Sequence, residues 1–204
     1  MPNNALTRKD PPKGKKGFST NKGFTVIELM ITIAVIAIVT SLALPSYRSI
    51  VEKRQVTSGA EQVMAFLSTA QMEAVKRNQF VAVNYQDNGG AWCFGLTAAD
   101  DDDASCDCTN NSCTLDGQLR VLNSTMLKRP QVLSAATVGG DDDTLVFDPV
   151  RGLTVGAEVA DIALISPDAT SWALNIQITP TGRVKICTDS GRGDHPVPGY
   201  EECP

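Results

Sequence analysis

The sequence predicts an α+β fold in which one long N-terminal helix packs against an antiparallel β-sheet. Three observations support this. The segment 24–44 is almost wholly apolar. An apolar stripe at helical spacing then runs from Val56 to about Asn78. From Phe80 onward, runs with the two-residue period of β-strands are separated by turn signals.

The apolar segment from Phe24 to Leu44 is long enough to cross a membrane. At about 1.5 Å per residue it extends roughly 30 Å, the thickness of the hydrocarbon core of a bilayer. It holds one carboxylate, Glu28, near its start. A charge in this environment costs on the order of 2.5–3.5 kcal/mol, which favours a functional role for Glu28. Pro45 follows the span, and we expect it to kink the helix because it removes a backbone hydrogen bond.

A basic leader precedes this span. Residues 1–23 have a net charge of +5, the whole chain has −5, and the remainder is therefore −10. Positive charge before an apolar span predicts a cytoplasmic N-terminus and an external C-terminal part. We expect 1–23 to be a disordered leader, 24–44 to be the transmembrane helix, and 45–204 to form one exported globular domain.

Beyond the span, the helix is predicted to continue to about residue 78 with one apolar face. Its apolar residues recur at intervals of three and four, and polar residues take the other side. We interpret this face as packing against the sheet rather than as a ligand site. Its residues are Val56, Ala60, Val63, Leu67, Ala70 and Ala74.

The remaining chain is predicted to be mostly β-strand. We expect Trp92 and Trp172 to lie in strands and to contribute to the core. The segment 98–113 lacks an apolar pattern and is predicted to be a loop held by disulfides. Strands are expected at 80–85, 91–96, 119–123, 144–147, 172–179 and 183–187.

All six cysteines follow the apolar span: Cys93, Cys106, Cys108, Cys113, Cys187 and Cys203. An even number outside the cytoplasm predicts three disulfides. We expect Cys106 and Cys108 to have different partners, and we favour Cys187 with Cys203, although six cysteines allow fifteen pairings. A zinc site at Cys106, Cys108 and Cys113 is the alternative, and an oxidising compartment disfavours it.

The residues around the start of the span resemble the type IV prepilins. The resemblance rests on a Gly23-Phe24 junction with a carboxylate, Glu28, four residues later. It implies that a prepilin peptidase cuts between Gly23 and Phe24 and methylates the new amine of Phe24. It also implies that Glu28 pairs with the α-amino group of a neighbouring subunit and so acts in assembly. The alternative is a secretory signal peptide cleaved near Ala43.

A second resemblance is to the GspH/FimT group of minor pilins and pseudopilins. It is carried by 57–78, 146–149 and 181–187. It implies a structural subunit that assembles into, primes or caps a type IV pilus or a type II secretion pseudopilus. Implied partners are other pilins or pseudopilins, the prepilin peptidase, membrane lipid and an inner-membrane assembly platform. The implied location is the inner membrane with a periplasmic C-terminal domain, then the filament; the sequence does not separate the two systems.

DNA binding during transformation is a second hypothesis. The FimT branch is associated with a Gly-Arg-x-Arg motif, but here Asp194 follows Gly191-Arg192-Gly193. The stretch 182–185 is nearer in charge, so the candidate DNA contacts are Arg183, Lys185 and Arg192. The acidic exported part disfavours phosphate binding.

Other candidate sites have weaker signals. The acidic runs 100–103 and 141–143 contain calcium-type ligands but lack the EF-hand spacing. His195 is the sole histidine, and no Gly-x-Ser-x-Gly motif accompanies it. The tripeptide 192–194 matches an adhesion motif too short to be specific. We therefore expect neither an enzyme nor a cofactor, and keep a membrane-anchored adhesin or enzyme as a third hypothesis.

Overall fold

The structure is a computed structural model that describes residues 23–100, 104–127, 132–139, 143–157, 159–166, 172–188, 191 and 196–204, with backbone alone at 44–46, 132–137 and 157. These residues form one long helix, a short 3₁₀ turn and ten strands. Two compact units divide the chain, with the boundary between Ala43 and Leu44. The elements are α1 (Val26–Arg77), β1 (Phe80–Asn88), β2 (Ala91–Ala99), β3 (Thr114–Leu115), β4 (Gln118–Leu119), β5 (Val121–Asn123), β6 (Val132–Val138), β7 (Thr144–Phe147), the 3₁₀ turn (Val155–Ala157), β8 (Ala160–Ile165), β9 (Ala173–Ile178) and β10 (Val184–Thr188).

The long helix α1 begins and ends with recognisable caps. Thr25 precedes it, and the Thr25 hydroxyl accepts the backbone N–H of Glu28 at 3.2 Å. At the other end Asn78 has φ 52°, the left-handed conformation that commonly terminates helices. The helix is continuous through Pro45 and ends at Arg77, one residue before the expected end.

Two four-stranded antiparallel sheets follow the helix. The first has the order β5-β2-β1-β7, and the second has the order β10-β9-β8-β6. The six residues of the predicted apolar stripe on α1 are all 0% exposed and share one core with both sheets. Their predicted role in packing is confirmed. Val81, Val83 and Phe94 contribute to this core from the first sheet, and Leu174 and Ile176 from the second.

Several strand boundaries differ from the predicted ones. β2 extends to Ala99, so the start of the predicted loop 98–113 belongs to a strand. The predicted strand 119–123 is split at Arg120 because its two ends pair with different neighbours, β3 and β2. The sequence also missed β3, β6 and β8. Each of β6 and β8 contains two alanines, a residue that is depleted in strands and weakens the strand signal.

The two tryptophans have different environments. Trp92 is buried in the main core, as predicted. Trp172 lies just before β9 and is only partly buried against the core. Its indole N–H donates to the Ser49 hydroxyl at 3.3 Å, and the Lys53 ammonium lies 5.7 Å from its ring centroid. Trp172 therefore joins the middle of α1 to the second sheet.

Candidate functional site

The N-terminal part of α1 exposes apolar side chains around its whole circumference. The large apolar side chains between Phe24 and Leu42 are 53–85% exposed. In contrast to an amphipathic helix, this segment has no polar face, because apolar residues occupy consecutive positions. The helix is long and apolar enough to cross a membrane, judged by length and composition. This segment therefore presents apolar surface in every direction around the helix.

The predicted processing residues lie at the start of this segment. Gly23 and Phe24 precede the helix. Among the described residues not adjacent to Gly23, no atom lies within 4 Å of the position that a Cβ on Gly23 would occupy. Glu28 lies in the first turn, where a carboxylate interacts favourably with the helix dipole. Thr25 caps this turn and was not singled out from the sequence. The Thr-x-x-Glu spacing of a capping box could have identified it.

A disulfide-bonded loop covers part of the outer face of the first sheet. Cys93 pairs with Cys108, and Cys106 pairs with Cys113. Cys106 and Cys108 thus have different partners, as expected. The zinc alternative is wrong, because a sulfur in a disulfide is not available as a thiolate ligand.

Gly95 makes the close approach of this loop possible. A Cβ on Gly95 would lie 2.1 Å from Cys113 Sγ, which is too close for any side chain. Nearby, the side-chain oxygen Oδ1 of the buried Asn84 accepts the backbone N–H of Cys106 at 3.0 Å. The Asn84 amide donates to the Thr144 hydroxyl at 2.7 Å. Asn84 therefore joins the loop to strand β7.

The third disulfide, Cys187–Cys203, anchors the C-terminal tail to β10 and is the pairing that the sequence favoured. The Thr188 hydroxyl accepts the backbone N–H of Val197 at 2.9 Å. The Tyr200 hydroxyl donates to the Glu61 carboxylate of α1 at 3.3 Å. The tail therefore packs against the second half of α1.

A polar cleft of about 380 Å³ lies at the turn between β1 and β2. Tyr85, Asp87, Asp107 and Asp143 line it. Burial, followed by the charges of Asp87 and Asp143, raises the pKa of Tyr85 to about 12. The Asp107 carboxylate accepts hydrogen bonds from Thr109, and these lower the pKa of Asp107. The cleft is thus acidic and organised by its own hydrogen bonds.

The acidic runs proposed as calcium ligands are described only in part. Asp100 and Asp143 are described, whereas 101–103 and 141–142 lie outside the described residues. Over the part of the chain that is described, no group of three or more His, Cys, Asp or Glu side chains could hold a metal ion.

The candidate DNA contacts are not all described. Arg183 is exposed before β10, and Lys185 is half-buried within that strand. Arg192 lies outside the described residues, as does His195. The described residues therefore do not test whether Arg183, Lys185 and Arg192 form a cluster of positive charge.

The structure brings one further arginine towards Arg183. A Cβ on Gly182 would lie 2.2 Å from the carbonyl oxygen of Gly152, so the two glycine turns touch. Arg151 precedes Gly152 and is exposed. The Gln71 side-chain amide of α1 donates to the Gly152 carbonyl at 2.8 Å. Gln71 therefore fixes both turns to the helix.

Comparison with known proteins gives two family matches. Residues 18–44 match the prokaryotic N-terminal methylation motif. Residues 59–182 match the family described as type II transport protein GspH.

Individual relatives match mainly over short segments. A fimbrial protein of Pseudomonas aeruginosa is 36% identical over 61 residues, which cover 30% of this chain and 40% of the relative. A type IV major alpha-pilin of Moraxella bovis is 45% identical over 47 residues, covering 23% and 30%. The chain thus matches less than half of the length of these relatives.

The type IV minor pilin FimU of Pseudomonas aeruginosa is a similar solved structure. It gives a TM-score of 0.46 at 17% identity, over 66% of this chain and 90% of that chain. The GspH family match has a much firmer basis, since it spans more than half of the 204 residues. The chain belongs to the GspH family.

Proposed function

We propose that this protein is a minor pilin or pseudopilin, a subunit that assembles into, primes or caps a type IV pilus or a type II secretion pseudopilus. The observation that carries this proposal is the all-round exposure of apolar side chains between Phe24 and Leu42. Fully burying one such side chain contributes about 1.5–3 kcal/mol. The segment therefore gains strongly from lipid first, and from the helices of neighbouring subunits after assembly.

Processing supplies the step between these two environments. A prepilin peptidase removes 1–23 by cutting the Gly23–Phe24 bond and methylates the amine of Phe24. Before the cut, the basic leader keeps the N-terminus in the cytoplasm and the C-terminal domain lies in the periplasm. After the cut, the assembly platform takes up the anchored subunit.

Glu28 gives the assembled helix its register. A carboxylate surrounded by apolar side chains is costly unless it has a partner. The α-amino group of a neighbouring subunit, created by the cut, supplies the opposite charge. The span contains a single carboxylate. The helix therefore has one position along the filament axis at which Glu28 meets the neighbouring α-amino group, and at other positions the carboxylate is unpaired.

The primary experiment combines mass spectrometry with one substitution. We expect the mature protein from membranes to begin at Phe24 and to carry one N-terminal methyl group. The Glu28→Gln variant should remain in the membrane. Its amount in sheared filaments should fall at least about tenfold relative to wild type, which corresponds to an assembly free energy of about 1.4 kcal/mol. Glu61→Gln, which alters a carboxylate in the second half of α1, is the matched control and should assemble normally.

Two results would contradict the proposal. One is a mature N-terminus at Met1 or near Leu44, which would indicate an unprocessed protein or a secretory signal peptide. The other is normal assembly of Glu28→Gln. A separate experiment distinguishes the two filament systems: in a strain that lacks this protein, loss of pili indicates a type IV pilus, and loss of protein secretion indicates a type II secretion pseudopilus.

A further inference from the structure

We propose that Thr25 is a positioning residue for removal of the leader: its side chain caps α1 and thereby holds the Gly23–Phe24 bond outside the helix, where a peptidase can reach it. This inference rests on the proposed cut after Gly23. It assigns a separate role to Thr25, which lies between the scissile bond and Glu28.

The first hydrogen bonds of α1 both end on Thr25. Its hydroxyl oxygen accepts the N–H of Glu28 at 3.2 Å, and its carbonyl oxygen accepts the N–H of Leu29 at 3.2 Å. The helix consequently begins at Val26. Gly23 and Phe24 have no regular secondary structure.

The scissile bond is open in this arrangement. Phe24 is 85% exposed, and apart from the adjacent residues no atom of the described chain lies within 4 Å of a Cβ built on Gly23. Proteases preferentially cut exposed, irregular segments. In a helix, by contrast, the N–H and C=O groups of the same residues would be engaged in backbone hydrogen bonds.

The cap is what fixes this boundary. The first four N–H groups of a helix lack partners within the helix, and in an apolar environment each unpaired group is costly. The Thr25 hydroxyl satisfies the N–H of Glu28. Without it, the helix gains by extending backwards through Phe24, because added residues would pair the free N–H groups. The population with an accessible Gly23–Phe24 bond then falls.

The test separates capping ability from side-chain shape. Thr25→Val keeps the shape and loses the cap, whereas Thr25→Asn changes the shape and keeps a strong cap. The rate of leader removal is measured on the full-length protein in membranes with the peptidase, by mass spectrometry over time. We expect Val to slow removal about fivefold, which corresponds to the ~1 kcal/mol of a lost cap. Thr25→Asn and Thr25→Ser, which both keep a capping side chain, should lose the leader at the wild-type rate.

Each outcome is decisive. Removal at the wild-type rate for Thr25→Val overturns the role of the cap. Slow removal for Thr25→Asn as well would mean that the peptidase recognises the shape of the side chain instead. If wild-type protein is not cut after Gly23 at all, the proposed function fails. The wild-type cleavage site therefore reports on the function, and the Val-to-Asn contrast reports on the cap.

Discussion

The two halves of α1 show how one helix can serve two different kinds of burial. Between Phe24 and Leu42 the large apolar side chains are more than half exposed, whereas six apolar positions from Val56 to Ala74 are fully buried. The first half is apolar on all sides, and the second half confines its apolar residues to one face. The second half therefore stabilises its own domain, and the first half is suited to lipid or other subunits.

Side-chain size reinforces this division. Three of the six residues in the buried apolar stripe of the second half are alanines, Ala60, Ala70 and Ala74. Small side chains let the strands approach the helix closely, and Leu67 fills the larger space between them. The first half instead carries isoleucine, leucine and valine at most positions, which maximises the apolar area available to surroundings outside the chain.

The largest expected effect comes from truncating a buried apolar residue in the second half of α1. Truncating an exposed apolar residue in the first half is the control. Leu67→Ala should lower the free energy of unfolding of the C-terminal domain by about 2–5 kcal/mol, because it leaves a cavity at a fully buried position. Ile33→Ala should change it by less than about 0.5 kcal/mol, because Ile33 is exposed. Urea unfolding of the full chain in detergent, followed by tryptophan fluorescence, measures both.

Equal losses for Leu67→Ala and Ile33→Ala would break the comparison. They would mean that the first half of α1 contributes to the fold of the C-terminal domain. Ile33→Ala also has an expected effect on assembly. It should reduce the amount of subunit in filaments while leaving the midpoint of unfolding unchanged.

A second prediction concerns the tail that packs on the second half of α1. Replacing Cys187 and Cys203 together by serine opens a link between residues 16 apart. Loops of this size correspond to about 3 kcal/mol of stabilisation, and the same unfolding measurement should show this loss. Tyr200→Phe is the control, because it removes only the hydrogen bond to Glu61 and should cost less than about 1 kcal/mol.

If Tyr200→Phe were as destabilising as the double serine variant, the hydroxyl rather than the disulfide would hold the tail. Leader removal should be normal in both variants, since the predicted cleavage site, Gly23 and Phe24, precedes α1 and is distant in sequence from the tail. A change in cleavage would indicate that the two halves are not independent.

The sequence was most informative where the structure depends on local periodicity. The stripe from Val56 to Ala74 and strand β7 were predicted because residue spacing alone defines the buried face or the strand. Gly95 carries no such signal, because its role depends on Cys113, which is distant in sequence and comes close only in the fold. Likewise, the split at Arg120 depends on which strands become neighbours.

The processing residues illustrate the same limit. Gly23, Phe24 and Glu28 were identified through a resemblance in sequence, and the proposed cleavage and pairing remain predictions. The Thr-x-x-Glu spacing marks Thr25 as a possible cap, but spacing does not determine whether the hydrogen bond forms, because a threonine before a helix can adopt several rotamers.

The smallest of the three effects is expected at Gln71, where α1 meets the turns of Gly152 and Gly182. Gln71→Leu removes the donor to the buried Gly152 carbonyl and should cost about 1–3 kcal/mol. Gln62→Leu is a matched control, because within the described residues the Gln62 amide donates to Ser58, one turn away on the exposed side of the helix. Urea unfolding should therefore separate two identical substitutions on one helix. Equal midpoints would show that water replaces the Gln71 amide at Gly152, and that apolar contacts alone fix the second half of α1 to these turns.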